Sequence, residues 1–312
     1  MTDPRLDDSP AFAAAEPELS VLIPFLRDNP AELLTVLDEE APSLAGQAEL
    51  ILLDDGTNDP VLTKALAAQI AHLRLPVRLI SLSENEGRAK GRNRLASQAR
   101  GRSYLFLDSD MMPDTPDFLG GWLHLITTQN PAVAFGGFSL KHAPTDPVYA
   151  VHRAMALRSE CLPCTVRNQQ PEKYVYTSNL LVRRDAFQAE TFDRDFTGWG
   201  WEDVEWAMRI ARRFDVIHVD NPATHMGLDR PEDLIRKYEQ SVGNFARVVA
   251  RHPQIVSTYP SYKVAKLLRS LPGRKAWTPA LKSAALNPAL PVAVRAFALR
   301  LYRAALYSEV VA

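Results

Sequence analysis

The sequence predicts an α/β fold on a mostly parallel central sheet with a helical C-terminal extension, and three observations predict it. Apolar runs bounded by turn residues alternate with amphipathic stretches from Leu19 onward, the pattern of a parallel sheet with helical crossovers. One of those runs, Ser103 to Met112, carries two carboxylates one residue apart near its end, Asp108 and Asp110, and the C-terminal edge of an open sheet is where such folds bind ligands. After residue 252 the composition shifts: from Gln254 to the end there are nine Lys or Arg and one acid, a charge of +8 against −9 for the remainder.

Each element follows in order. Met1 to Glu18 is rich in Pro, Asp and Ala without periodicity, which predicts a disordered leader. Leu19 to Phe25 is a first strand, and Asn29-Pro30 opens a helix through Leu33, Leu34 and Leu37. Glu49 to Leu53 is a second strand running into Asp54-Asp55-Gly56-Thr57, Pro60 starts the next helix, and Val77 to Ser81 is a third strand. Asn85-Glu86-Gly87 leads into a basic helix, Arg88 to Ala99, before the strand that delivers Asp108 and Asp110. Pro116 to Thr128 reads as a helix and Val133 to Gly137 as a strand. His142 to Lys173 lacks periodicity, and a long irregular segment in a compact domain suits a binding region, here for an acceptor. Tyr174 to Val182 is a strand, Glu202 to Arg213 a helix, Val216 to Val219 a short strand and Pro231 to Arg251 a closing helix. The organisation is therefore a leader at 1–18, a main domain at 19–252 and a basic helical extension at 253–312.

A chain of 312 residues, 46% hydrophobic and with a net charge of −1, can bury a full core and has no overall basic bias toward nucleic acid. The N-terminus has no signal-like segment and no run approaches the length of a membrane span, so a cytoplasmic protein is expected. Cys161 and Cys164 form one isolated Cys-x-x-Cys, which reads as incidental reduced thiols. The last tail segment places Arg295, Arg300 and Arg303 on one arc and Val294, Phe297 and Leu301 opposite. It either lies on an anionic membrane surface or docks its apolar face on the main domain.

Two carboxylates at a sheet edge suit a hard divalent cation, Mn²⁺ or Mg²⁺, carrying a diphosphate, although Asp-Ser-Asp is equally compatible with a polar turn. Asp54 or Asp55 can accept the N–H of a uracil ring, with Asp55 the favoured one of the pair. Arg92 offers a forked donor to a nucleotide or diphosphate, whereas Arg88 and Arg94 are expected in solvent. Trp199 and Trp201 present flat faces for a sugar ring, and Gly198 and Gly200 allow the loop between them to move. Asp203 opens a helix beside Glu202, where acids also complement a helix dipole.

In this order the motifs resemble the GT-A glycosyltransferases of family 2, over Leu19 to about Phe245. The resemblance rests on the first strand with its Pro24, Asp54 to Thr57, the Asn-x-Gly-x-x-x-x-Arg-Asn run Asn85 to Asn93, Asp108 to Asp110, and Gly-Trp-Gly-Trp-Glu-Asp at Gly198 to Asp203. The last is similar to the Gly-Trp-Gly-Gly-Glu-Asp of β-1,4-galactosyltransferases and chondroitin-polymerase-like enzymes, with Trp201 in place of a glycine. The resemblance implies an inverting transfer from a UDP-sugar to a saccharide hydroxyl; the basic tail and the lack of a secretory segment add the expectation of a lipid-linked or surface-polysaccharide acceptor at the inner membrane face. It implies a donor-nucleotide site of Pro24, Asp54, Asp55, Arg92 and Asp108, a metal on Asp110, Asp108 and His225, Asp203 as general base, and Trp199, Gly200, Trp201 and Glu202 on the sugars. The competing readings are a binding protein of the same fold without turnover and a sugar-phosphate nucleotidyltransferase. The latter needs a glycine-rich phosphate loop after the first strand, and Pro24-Phe25-Leu26-Arg27-Asp28 is not one. A dinucleotide oxidoreductase lacks its Gly-x-Gly-x-x-Gly.

Overall fold

A computed structural model describes residues 4–311, and for residues 274–276 the backbone alone. Its strands are β1 (Arg5–Asp8), β2 (Leu19–Phe25), β3 (Ala48–Asp54), β4 (Val77–Ser81), β5 (Ser103–Leu107), β6 (Met111–Pro113), β7 (Val133–Phe135), β8 (Phe138–Ser139), β9 (Asn179–Arg183), β10 (Val216–His218) and β11 (Ala223–His225). Eight of them form one sheet in the order β1-β4-β3-β2-β5-β9-β7-β10, and β6-β11-β8 form a second. The central β4-β3-β2-β5 block is parallel, and β3 is buried at every position, its apolar run Leu50 to Leu53 suiting two helix-covered faces while Glu49 is paired with Arg100. β9 runs antiparallel to both β5 and β7.

The core lies on both sheet faces. Leu33, Leu34, Leu66, Phe118 and Trp122 cover one, and Ala89, Leu95, Phe187, Phe192 and Trp206 cover the other. At about 25 cal/mol per Å² of apolar area removed from water, such burial is the main term holding the sheet.

Three sequence expectations need correction. The segment expected as a disordered leader is ordered from residue 4: β1 pairs antiparallel with β4, and Asp8 binds Arg78 through both oxygens, at 2.8 and 2.7 Å. Phe12 is buried, with the guanidinium carbons of Arg100 and Arg78 at 3.9 and 4.4 Å from its ring centre. One aromatic anchor and one ion pair thus hold a stretch whose composition argues for disorder. The segment 142–173 is helical rather than irregular, with Ala150–Ser159 as its main helix. Its buried face is Val151, His152, Met155 and Ala156, and the buried histidine hides the periodicity. The closing helix is two, Pro231–Gln240 and Val242–Arg251, hinged at Ser241.

Residues 253–312 add the helices Pro253–Val256, Pro260–Arg269, Arg274–Leu286 and Val292–Tyr307. The last docks through Ala296, Leu299, Tyr302, Ala305 and Tyr307, all buried. Its packing reverses the expected faces. Phe297 and Val294 point outward, 62% and 45% exposed, while Arg300 and Arg303 turn into the protein and line a cavity.

Candidate active site

A cavity of about 380 Å³ opens beyond the C-terminal end of β5. The sheet edge supplies Asp108 and Asp110, the Trp199–Val204 stretch its loop and first helical turn, and the helix Val292–Tyr307 supplies Arg300, Arg303 and Tyr307. A larger groove, about 620 Å³, lies at the other end of β7 and β10, and its charged lining groups are Arg183, Arg212, Arg213 and Asp215. It has no paired carboxylates, so the chemistry belongs to the first cavity.

The small second sheet explains why Asp110 and His225 meet. β11 pairs antiparallel with β6, setting His225 opposite Met111, one residue from Asp110. The imidazole Nε2 lies 3.4 Å from the Asp110 carboxylate, and Met226 N–H donates to the Asp110 carbonyl at 2.8 Å. Gly227 is required here, because a Cβ would overlap the Asp110 carboxylate.

Asp108 is held differently. Arg92 Nη2 donates to one of its oxygens at 2.8 Å, while Arg88 Nη2 and Ser178 Oγ donate to the other at 3.3 and 2.8 Å. Burial opposes its charge, but Arg92 and Arg88 outweigh burial and hold the carboxyl down at about 2. With a donor on each oxygen, Asp108 is an ion-pair partner in this arrangement, and it lines the cavity.

Arg92 is 1% exposed and does not line the cavity; its fork spans Asp108 and Glu202, the latter at 3.3 Å, and its Nε is buried without a partner among the described residues. Arg88, expected in solvent, is 42% exposed and is the arginine of this basic helix that borders the cavity, with Nε donating to Glu202 at 2.9 Å. Arg94 is bound to Glu86 at 2.6 and 2.8 Å.

Glu202 and Asp203 sit at the start of the helix Glu202–Ile210 and both line the cavity. Glu202 Oε1 takes both arginines, whereas its buried Oε2 has no partner. Among the described residues, Asp203 accepts only the N–H of Val204, at 2.8 Å. Burial, then the neighbouring Glu202 charge, push its carboxyl up to about 7, against the smaller opposing effect of Arg92.

Trp199 lines the cavity beside Tyr238, ring centres 6.1 Å apart. Trp201 is less available than expected: its Nε1 donates to Tyr307 Oη at 2.9 Å and its ring packs 4.8 Å from Phe245. The loop is also pinned, since Asn244 Nδ2 donates to the carbonyls of Thr197 and Gly200 at 2.9 and 2.8 Å. Gly198 and Gly200 take φ of 72° and 86°, so their visible contribution is left-handed backbone.

Pro24, Asp54 and Asp55 do not line the cavity. Pro24 lies within β2 opposite Leu53. Asp54 accepts the N–H of Thr57 at 2.8 Å, an Asx turn. Asp55 accepts from the backbone of Glu86 and Gly87 and from Asn85 Nδ2, at 2.8, 3.1 and 3.0 Å, tying two turns together. Gly56 permits that contact, because a Cβ there would sit 2.7 Å from the Asn85 nitrogen.

A divalent cation fits Asp110 and His225, a carboxylate oxygen and an imidazole nitrogen already facing one another, with His225 Nδ1 buried and unpartnered. Asp28 feels the same negative field: loss of hydration, then the charges of Asp110 and Asp108, raise its pKa. His152, Glu160 and His225 also bring donor atoms within 4.8 Å of one another. Asp229 N–H donates to His152 Nδ1 at 2.7 Å, and burial followed by His225 holds His152 at about 4. Neutral His152 therefore carries its proton on Nε2, which disfavours it as a ligand. Single-sequence reading missed Arg88, His152, Glu160, Ser178, Tyr176, Asn244, Arg300 and Arg303. Arg88 falls within the Asn85–Asn93 run and Arg300 and Arg303 on the basic arc of the last helix, but their meeting in this cavity, and the hold of Asn244 on the loop beside it, come only with folding.

A family model described as glycosyl transferase family 2 matches residues 20–190, more than half of the chain. Dolichyl-phosphate beta-glucosyltransferase of Drosophila melanogaster is 32% identical over 126 residues, 38% of this chain and 37% of that relative. The chain thus spans little more than a third of that relative's length. Among solved structures, a mannosyltransferase, PcManGT from Pyrobaculum calidifontis, in complex with GDP-Man and Mn²⁺, aligns over 99% of this chain and 90% of its own, with a TM-score of 0.58 and 17% identity. TarS 1-349 of S. aureus aligns over 94% and 90%, with a TM-score of 0.55 and 16% identity. At such identities these two share the fold.

Proposed function

We propose, because this chain belongs to glycosyl transferase family 2 and is a glycosyltransferase, that it transfers a sugar from a UDP-sugar with inversion to an acceptor that is lipid-linked. The single observation that carries this reading is the Asp203 carboxylate, facing the cavity with one bound donor and a pKa near neutrality, in the same space as Asp110 and His225.

A sugar hydroxyl is a poor nucleophile at neutral pH, and Asp203 takes its proton as the acceptor oxygen attacks the anomeric carbon from the face opposite the leaving diphosphate. The unpartnered Glu202 Oε2 accepts a neighbouring hydroxyl and orients the acceptor. Trp199 offers its ring at the cavity wall, beside Tyr238 and Lys237, while Trp201 stiffens the loop through Tyr307. On the donor side the reading retains the Asp54–Asp55 turn for the base and replaces Arg92 by Arg88 as the guanidinium within reach of phosphate. Asp110 and His225 would hold Mn²⁺ or Mg²⁺, whose chemistry is to stabilise negative charge on the departing diphosphate. Support for a lipid-linked acceptor comes from the named acceptor of the Drosophila relative and from the exposed apolar residues Leu267, Leu271, Val294 and Phe297 of the extension. Peripheral contact with a membrane follows; among the described residues no helix is long and apolar enough to cross one.

The test is a panel of nucleotide-sugars, run with Mn²⁺, Mg²⁺ and EDTA, on wild type and Asp203→Asn. Turnover of one UDP-sugar that Asp203→Asn reduces by about 10²–10⁴-fold, with UDP binding retained, is the expected result. Full transfer by Asp203→Asn would sink the assignment of the base.

A further inference from the structure

Most buried or half-buried arginines in this protein have a carboxylate: Arg78 has Asp8, Arg100 has Glu49, Arg209 has Glu190 and Glu205. In the cavity Arg88 shares Glu202 and Asp108, and Lys237 has Asp229 at 2.6 Å. Arg153, Arg167 and Arg295 lack one but donate to backbone carbonyls within 3.2 Å, whereas Arg300 and Arg303 have neither a carboxylate nor a carbonyl that close. Both line the cavity, one turn apart on the helix Val292–Tyr307, and neither has an ion pair among the described residues. Arg300 makes one long hydrogen bond, Nη2 to the Met155 carbonyl at 3.4 Å. Arg303 has only the face of Tyr238, 5.1 Å from its guanidinium carbon.

Their surroundings concentrate the positive charge. Burial, then Arg158 and Arg303, lower the pKa of Arg300, whereas burial at Arg303 is outweighed by Tyr238, Tyr307, Tyr176 and Glu160, which raise its pKa. Glu160 acts on Arg303 through space without reaching ion-pair distance, and its own burial raises its pKa and weakens it as a counter-ion. Two partly dehydrated guanidinium groups that line a cavity without a carboxylate leave donors open to an anion.

We propose that Arg300 and Arg303 bind a phosphate group carried by the acceptor, placing the acceptor's reactive oxygen toward Asp203. A single carboxylate brings one charge, whereas a phosphomonoester brings about −1.5 to −2 and three acceptor oxygens for two guanidinium forks. This deepens the proposed transfer reaction and rests on its acceptor occupying this cavity. It also explains why the helix turns its basic arc inward and leaves Val294 and Phe297 outside.

The experiment is calorimetric titration of the full chain with octyl phosphate, glucose 1-phosphate and the neutral octyl β-glucoside, and separately with UDP and Mn²⁺. Either phosphate probe should bind at least about tenfold tighter than octyl β-glucoside. Preference for octyl phosphate identifies a lipid-borne group, and preference for glucose 1-phosphate a sugar-borne one. The double variant Arg300→Gln/Arg303→Gln should lose that preference, and Arg300→Lys/Arg303→Lys, which keeps the charge, should retain part of it. Equal binding of charged and neutral probes by the wild type overturns the proposal, whatever the variants' folding. A matching loss of UDP affinity in the Gln variant also overturns it, because the arginines would then serve the donor. Absence of UDP binding by the wild type speaks against the transfer reaction itself, and phosphate selectivity remains a separate readout.

Discussion

A base that works near neutrality needs a carboxyl raised well above 3.8, and Asp203 reaches about 7 by burial first and by the Glu202 charge second. The base acts when deprotonated, so kcat/KM should rise as pH increases through about 7 and level off above it. Glu202→Gln removes the like charge and should move that rise to lower pH, while raising KM through the lost acceptor contact. A profile flat from about pH 5.5 to 8.5 would rule out Asp203 as a rate-controlling base. Beside it, Trp201 takes φ of 76°, a left-handed backbone that favours glycine and costs a larger residue about 1 kcal/mol. The structure gives the side chain two anchors in return, Tyr307 Oη and the Phe245 ring. The Gly-Trp-Gly-Trp motif is legible in sequence. That its second Trp couples the loop to a residue 106 positions away is not.

The Arg88–Gln98 helix matters through Arg92, buried between Asp108 at the end of β5 and Glu202 at the start of another helix. Arg92→Met would leave two carboxylates short of a partner, one of them nearly fully buried, and should destabilise by about 3–5 kcal/mol. Arg92→Lys should recover only part, because a point charge cannot span both carboxylates as a planar fork does. Urea denaturation of the three proteins decides this, and full recovery by lysine would show that charge alone suffices. Sequence pattern exposed the long elements well: β2 and β3 carry continuous apolar runs, and the Asp54 to Thr57 and Asp108 to Asp110 turns follow strands as expected. Strand direction has no signature in periodicity, so the antiparallel β9 was hidden. β6, β8 and β11 are two or three residues long, too short for any alternation, yet their pairing brings Asp110 to His225. Arg92 is buried while Arg88, 42% exposed, borders the cavity, because a helix face is chosen by its partners and Glu202 is distant in sequence.

Across the whole molecule the C-terminal extension completes the cavity on one side and presents apolar side chains on the other. The sequence pattern separates the two arcs of the last helix correctly but leaves open which one meets the protein, and docking through Ala296, Leu299, Tyr302 and Tyr307 decides it. The result is a helix whose arginines serve the interior cavity while Phe297, 62% exposed, and Val294, 45%, face out. On the neighbouring helix Pro260–Arg269, Leu267 is 62% exposed, with Lys263 and Lys266 exposed beside it. Apolar residues flanked by lysines suit the boundary of an anionic bilayer, where apolar burial and surface charge add. Co-sedimentation should therefore show more protein on vesicles containing anionic lipid than on neutral ones, with binding weakened by salt. Val294→Ser with Phe297→Ser should lower the bound fraction in both, and stability should change by no more than about 0.5 kcal/mol, since these side chains are largely in water. Retention of full vesicle binding by that variant would remove the membrane contact from this face. Loss of binding together with a preserved preference for phosphate over neutral probes would separate the outer, lipid-facing role of the helix from the inner role of Arg300 and Arg303.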